Sequence, residues 1–426
     1  MSFYILEKED QLPHLPHFDK CFVHIITNNT NYHPAISEVF LIYVKPFDSK
    51  GFIFCINHNE SLSLKWQSIK KLLSEKELYS IDAKYTRYFL NGNINDVTFN
   101  YIDKQGTKPE YTQFAPNIIN DIYLKHGNLK NVNTLIPISK HYEHCENIYN
   151  FLQSYMYKNT EYQYKLTTVF FKIEKEGIKL DKECFIKYHK DHPTPHFSIS
   201  KGKAYTHYNL YTLTGRPSNS FNNVNYAALN KENGERTCYI PNNDLYLEFD
   251  FNGYHPRLLG TLTGYEFNKD INVYEQIAEI LQTKDISKVK EITFQNLYGG
   301  IRYELQQKPF FKNVHIFTDS LWDTLQYGGS ITTPSGKKFR SKDIDNPNPQ
   351  KVLNYFIQNF ETSQNVEQLY SLFNDFRVLK SRIVLYTYDS ILIDTVKDEI
   401  PQIKEIISKF KYPTKVKIGT NYNELT

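Results

Sequence analysis

Three apolar runs separated by polar turns open the chain: CFVHII, VFLIYVKPF and GFIFCI. Short runs of this kind, bounded by polar and glycine-containing segments, predict strands. SLSLKWQSIKKLL and ISKHYEHCENIYNFLQSYMY carry their apolar residues at helical spacing instead, so residues 1–155 read as an α/β unit with strands first and helices after. YKLTTVFFKIEKEGIKLDKECFIKYHK predicts a helix, a stop at Gly177 and a second helix capped by Asp181. The Pro- and Ser-containing stretch DHPTPHFSISKGK is the linker candidate, which sets residues 156–204 apart as a short connecting region. Residues 205–426 alternate strands and helices as one large unit, and no repeat or low-complexity tract occurs.

Two acids in that last unit each follow a short apolar run: Asp250 in YLEFDFNGYHPRLLG and Asp389 in LYTYDSILID. Each stands at the end of an expected strand, so adjacent strands could bring them together to hold two divalent cations for in-line phosphoryl transfer. Between them lies KVKEITFQNLYGG, in which Lys290, Phe294 and Tyr298 fall four apart. On a helix these three share one face, offering an ammonium for phosphate and two aromatic platforms for a base.

Composition narrows the class without naming the chemistry. At 426 residues the chain can bury a substantial core in two or three domains. Its five cysteines form no CxxC pair and no metal-ligand spacing, which suits a reducing cytosol and argues against structural zinc or a disulfide framework. His144 beside Cys145 is read as incidental, because a tetrahedral site needs four ligands. The opening MSFYILEKEDQLPHL does not read as a signal peptide, and no run of about 18 apolar residues predicts a membrane span, so a cytoplasmic location is expected. A net charge of +3 is too small to predict nucleic-acid binding by itself. Abundant Asn, Lys, Ile and aromatics suggest an AT-rich coding genome, as in a virus, an organelle or an AT-rich microbe.

Taken in order, these elements resemble motifs A, B and C of family A (Pol I-like) DNA polymerases. LYTLTGRPSNSFNNVNYAALN, upstream of the first acid, is similar to the family's TGR element through Thr214, Gly215, Arg216, Ser218, Asn222 and Asn225. The resemblance implies that Arg216, Asn222 and Asn225 contact the primer-template backbone and minor groove, where sequence-independent contact is available. It implies that Asp250 and Asp389 bind two Mg²⁺ (or Mn²⁺), that the Phe251 carbonyl completes a metal shell, and that Arg257 belongs with the DNA-contacting set. Lys290 would neutralise the triphosphate, Phe294 would pack on sugar and base, and Tyr298 with Gly299 would stand on the template side. His255 replaces the family's glutamate that helps exclude a ribose 2′-hydroxyl, leaving an imidazole as the gate. Ile286 replaces an arginine one turn before Lys290, for which Lys284 or Lys288 could substitute. Asn272 stands near a family histidine, Gln358 and Asn354 match a helix whose glutamine faces the template, and ITTPSGKKFR and VKIGTNYNEL resemble later family segments. Motif C reads Tyr388-Asp389-Ser390, keeping the metal-binding acid while losing the following glutamate.

The N-terminal portion resembles a DnaQ-like 3′-5′ exonuclease domain of the RNase H-like α/β type whose acids are gone. His24 and Ile26 occupy the Asp-x-Glu positions, Thr86 replaces an aspartate, and Tyr142 and Glu146 give Tyr-xxx-Glu. One surviving carboxylate cannot hold two metals, so no proofreading is expected. Only about 30 residues separate Asp181 from Thr214, which implies a reduced thumb and weak grip on duplex DNA. The expected fold is an α+β right hand of palm, fingers and shortened thumb behind this domain. Primer-template DNA and dNTPs are the expected partners, with a processivity factor, helicase-primase or separate exonuclease to supply what the chain lacks. A family B-like or protein-primed polymerase is disfavoured by the TGR element, the Lys-Phe-Tyr spacing and Gln358. A degenerate polymerase kept as a DNA-binding scaffold is disfavoured by the retained aspartates and Lys290.

Overall fold

The computed structural model describes residues 4–189, 198–219, 224–232 and 234–425. Asn222 lies outside them, as does the first part of the linker candidate. The chain divides into two units, residues 1–175 with 193–207 and 220–224, and the remainder.

The first unit is built on a six-stranded sheet of Tyr4–Leu6 (β1), Lys20–Thr27 (β2), Val39–Pro46 (β3), Phe52–Cys55 (β4), Glu77–Ser80 (β5) and Asn93–Asp96 (β6). Their order is β1-β4-β3-β2-β5-β6, with antiparallel pairing across β2, β3 and β4 and parallel pairing at β1–β4, β2–β5 and β5–β6. Alternation along β2 sends Cys21, Val23 and Ile25 to one core, with Ile69 and Leu73 of the helix Trp66–Ser74 (α1). Phe22 and Ile26 go to the opposite core, with Val97 and the buried face of a later helix. Covering both faces explains why these strands read as unbroken apolar runs. Ala83–Thr86 (α2), Val97–Gln105 (α3), Asn117–His126 (α4), Ile138–Leu152 (α5) and Glu161–Glu176 (α6) follow.

Gly177 takes φ +63°, a left-handed conformation that ends α6. The strand Ile178–Leu180 (β7) and the helix Lys182–His189 (α7) come next, and Asp181 Oδ1 accepts from the Cys184 amide at 3.0 Å as the expected cap. The hairpin Ile199–Ser200 (β8) and Lys203–Ala204 (β9) returns to the first unit. Tyr208–Asn209 (β10) pairs with Ser218–Asn219 (β11), and Tyr239–Ile240 (β12) pairs with β7. That last pairing lies beside the one clear departure from the cysteine reading: Cys184 and Cys238, with Cα atoms 5.1 Å apart, form a disulfide. The two are 54 positions apart and become neighbours only through tertiary folding.

The second unit centres on a four-stranded antiparallel sheet. Leu245–Phe251 (β13) is followed by the helices Tyr254–Thr263 (α8), Val273–Leu281 (α9), Ile286–Gly299 (α10) and Pro309–Gly328 (α11). The hairpin Ser330–Thr332 (β14) and Lys338–Arg340 (β15) leads to the long helix Pro349–Asp375 (α12). Arg382–Thr387 (β16), Ser390–Thr395 (β17), the helix Ile400–Ser408 (α13) and Thr414–Gly419 (β18) complete it, with sheet order β16-β17-β13-β18. Leu247, Phe249 and Phe251 are buried while Glu248 and Asp250, in alternate positions, stay partly accessible. The helix α12 packs against α8, α10 and α11. Among the described residues, no helix is long and apolar enough to cross a membrane.

Candidate active site

Strand register brings the two acids together. Asp250 pairs with Ser390 across β13 and β17, and the Phe251 amide donates to the Asp389 carbonyl at 3.1 Å. Asp389 sits in the two-residue turn between β16 and β17, beside Tyr388, whose φ of +64° is uncommon for a residue with a side chain. Asn365 of α12 holds this turn, donating to the Tyr388 carbonyl at 2.8 Å and accepting from Tyr254 at 2.7 Å. On the other side of β13, Gly253 opens α8 at φ +58°. A Cβ there would lie 2.0 Å from Val273 Cγ1, so only glycine lets the strand turn into the helix against α9.

Asp250 and Asp389 line a cavity of about 410 Å³. Arg216, Phe251, His255, Asn272, Ile286, Lys290, Phe294 and Tyr298 line it too, so ten of the residues singled out from the sequence share one space. On α10, Val289, Thr293, Asn296 and Leu297 face the core, leaving Lys290, Phe294 and Tyr298 as a separate stripe. The rings of Phe294 and Tyr298 stack nearly parallel, 5.8 Å apart and 9° from coplanar. Lys290 Nζ lies 5.9 Å from the Tyr274 ring centre. Their partial exposure separates these rings from ordinary core aromatics.

The carboxylates are electrostatically crowded. Burial, then Asp389 and Glu248, push the Asp250 carboxyl up to about 6, against the opposing pull of Lys417 and Lys415. Burial and then Glu361 raise Asp389 as well. Carboxylates that raise one another's pKa beside an open cavity suit hard divalent cations, whose charge would relieve that crowding. Ser390, in the position of the missing motif C acid, donates to Glu248 at 2.7 Å, so a third carboxylate stands on the same face of β13.

Other expected positions differ. Arg257 is buried and donates to the carbonyls of Asn252, Asn268 and Ile271 at 3.1, 3.1 and 2.8 Å. Those bonds engage all three of its guanidinium nitrogens and pin α8 to the following loop. Ile286 lines the cavity where an arginine was expected, whereas Lys284 and Lys288 are exposed outside its lining. The further cations there are Arg216 and Lys415. Asn272 caps α9 by accepting from the Tyr274 amide at 2.9 Å, and it also lines the cavity. Gln358 is half-buried on α12 and donates to Asn354 at 2.8 Å, and Asn225 is exposed; neither lines the cavity.

Glu361 escaped the sequence reading. It is 1 % exposed on α12, lies 3.2 Å from Arg216 and 3.3 Å from His255, and lines the cavity. A glutamate three positions after Gln358 reads as an ordinary solvated helical acid. The only hint is its polar company: Asn359, Thr362, Ser363 and Asn365 are buried with it.

In the first unit, His24 is held well below its usual range, at about 3, by burial and the neighbouring imidazoles of His144 and His141. Glu146 accepts from Tyr43 at 2.7 Å and Tyr142 at 2.8 Å, with Lys45 at 3.6 Å. Thr86 is buried and bonds to Ser80 at 2.6 Å. Among the described residues, only His33, Glu174 and His207 gather three potential ligand atoms within 4.8 Å. The Lys84 ammonium already stands there, 2.5 Å from Glu174, while His33 Nε2 bonds the Thr206 carbonyl at 3.0 Å.

No protein-family model and no curated protein matches the sequence. Among solved structures, the chain is similar to the POL domain of Pol1 from M. smegmatis, solved in complex with DNA primer-template and dNTP. The TM-score is 0.71 at 12% sequence identity, with 100% of each chain covered. That likeness shows a polymerase fold.

Proposed function

We propose that the chain is a template-dependent DNA polymerase of the family A type, adding dNTPs to a primer 3′-hydroxyl. The observation that carries this reading is the single cavity in which Asp250 and Asp389 meet the Lys290-Phe294-Tyr298 stripe. Asp250 and Asp389, with the Phe251 carbonyl, would hold two Mg²⁺. Such ions, when bound, activate the attacking oxygen and stabilise charge on the leaving pyrophosphate. Lys290 adds a positive charge for the triphosphate, and the stacked rings of Phe294 and Tyr298 give the base an apolar wall. Arg216, Asn222, Asn225 and Gln358 are proposed to contact primer-template DNA, and His255 to border the sugar.

Residues 1–155 are proposed as an exonuclease-like domain without proofreading, residues 156–204 as a reduced thumb, and residues 205–426 as palm and fingers. The silence of the first region is supported by its one motif acid, Glu146, being engaged by two phenols and a lysine. A viral origin, a cytoplasmic site of action and a processivity or helicase-primase partner complete the proposal.

Extension of a labelled primer with four dNTPs and Mg²⁺ tests it, beside Asp250→Ala and Asp389→Ala and a lane without dNTPs. The reading expects extension by the wild type, loss in both variants and no 3′ shortening. A folded, DNA-binding wild type that extends nothing with Mg²⁺ or Mn²⁺ overturns it in favour of a scaffold.

A further inference from the structure

We propose that Glu361 is a positioning residue for nucleotide selection: through His255 it fixes the Tyr298 phenol at the cavity wall. The inference rests on the polymerase reading of this cavity and adds a residue that the motif resemblance does not supply.

A carboxylate this deeply buried must find positive or hydrogen-bonding partners. Glu361 has two, the Arg216 guanidinium at 3.2 Å and His255 Nε2 at 3.3 Å. Its Oε2 nevertheless accepts no well-directed hydrogen bond. His255 Nδ1 is bonded to the Tyr298 hydroxyl. The order of atoms fixes the roles: a carboxylate beside Nε2 retains the proton there, leaving the Nδ1 lone pair to accept from the phenol. Tyr298 is thereby held at its outer end by a chain that reaches back to α12, while its face is stacked on Phe294. The Arg216 guanidinium, on the other side of Glu361, lies 3.7 Å from the Tyr388 ring centre, in the turn that carries Asp389. One carboxylate therefore restrains both the aromatic wall and the cation over the metal-binding turn. Glu361, His255, Tyr298 and Arg216 all line the cavity, so the chain of contacts borders the space a nucleotide would enter. A wall that cannot yield separates a well-fitting base pair from a poorly fitting one, because misplacement by a fraction of an ångström is penalised in the transition state.

The test measures kcat and KM for matched and mismatched dNTPs in the wild type, Glu361→Gln, Tyr298→Phe and the double variant. Thermal melting and primer-template binding report folding. Glu361→Gln keeps shape but offers an amide that can present either N–H or C=O to His255. It is expected to raise KM for the matched dNTP about 10-fold with a smaller change in kcat, and to lower matched-to-mismatched selectivity about 10-fold. Because both single changes break the same chain, the double variant should lose no more selectivity than the worse single. Wild-type selectivity in Glu361→Gln, or a double variant whose loss is the product of the singles, overturns the inference while leaving the polymerase reading intact. If Glu361→Gln does not fold, His255→Gln takes its place, and unchanged selectivity there is equally fatal. A wild type that incorporates no nucleotide removes the polymerase reading and this inference together.

Discussion

Both units draw acids together, and the difference between them lies in what answers the charge. In the first unit Glu174 meets the Lys84 ammonium at 2.5 Å, and Glu146 meets two phenols and Lys45. In the second, Asp250 faces Asp389 and Glu248, and Asp389 faces Glu361, so each acid has another acid among its principal neighbours. In the first unit, acids supplied with an internal cation away from the candidate active-site cavity are part of the framework. Acids that repel one another beside an open cavity are built for charge brought from outside.

The largest effects should come from the crowded pair. Asp250→Ala or Asp389→Ala is expected to reduce primer extension at least about 10³-fold, while leaving circular dichroism and DNA binding near wild type. Residual extension near wild-type levels in either variant would break the contrast at its strongest point. The counterpart in the first unit is Lys84→Met, which strands Glu174 without its cation. It is expected to destabilise that unit by about 3–5 kcal/mol, read by denaturant unfolding. A neutral result would mean that the buried pair is not what holds the acid there.

Lys290→Ala should be milder, lowering kcat/KM for dNTP about 10²-fold, with the loss shared between phosphate binding and turnover. Glu146→Ala should be milder still. Removing the acceptor of two tyrosine hydroxyls is expected to cost about 1–3 kcal/mol of stability, with extension per folded molecule unchanged and no 3′ shortening before or after. Shortening by the wild type that disappears in Glu146→Ala would turn the first unit from framework into enzyme.

The contrast was only partly legible in the sequence, and the reasons are physical. Strands covered on both faces leave unbroken apolar runs, so β2, β3 and β4 could be read directly. Period-four placement of Lys290, Phe294 and Tyr298 is local geometry, and the helix α10 carries it as expected. The partners of Arg257 were not legible because an arginine's partners are set by tertiary structure, and here they include three backbone carbonyls. The Cys184–Cys238 pairing joins residues 54 positions apart, and no local spacing announces such a bond. Glu361 was invisible for a related reason: a helical glutamate looks solvated until the helices that bury it are in place. The sequence announced the acids that follow strands, and hid the acid that answers Arg216 and His255 from a neighbouring helix.

The smallest predicted effect probes the charge contrast itself. Asp250 is pushed up to about 6 from 3.8, mainly by burial and then by its acidic neighbours. The folded protein therefore holds this proton more tightly than the unfolded chain does. The resulting penalty is absent below about pH 4, grows as pH rises through 6, and is complete above it. In a metal chelator, Asp250→Asn, which never ionises, should melt higher than the wild type at pH 7.5, with the gap falling to about half at pH 5 and closing near pH 4. Because the side chain is partly accessible, the expected gap is only about 1–2 °C. Mg²⁺ should erase it by stabilising the wild type and not the variant, since an ion bound to the folded state offsets the repulsion that burial creates. A gap undiminished at pH 4 would trace the effect to packing around residue 250 and remove repulsion as the distinguishing property of this site. A gap confined to high pH and cancelled by Mg²⁺ would tie the strain in the second unit to the cation it is arranged to receive, by a measurement that needs neither DNA nor turnover.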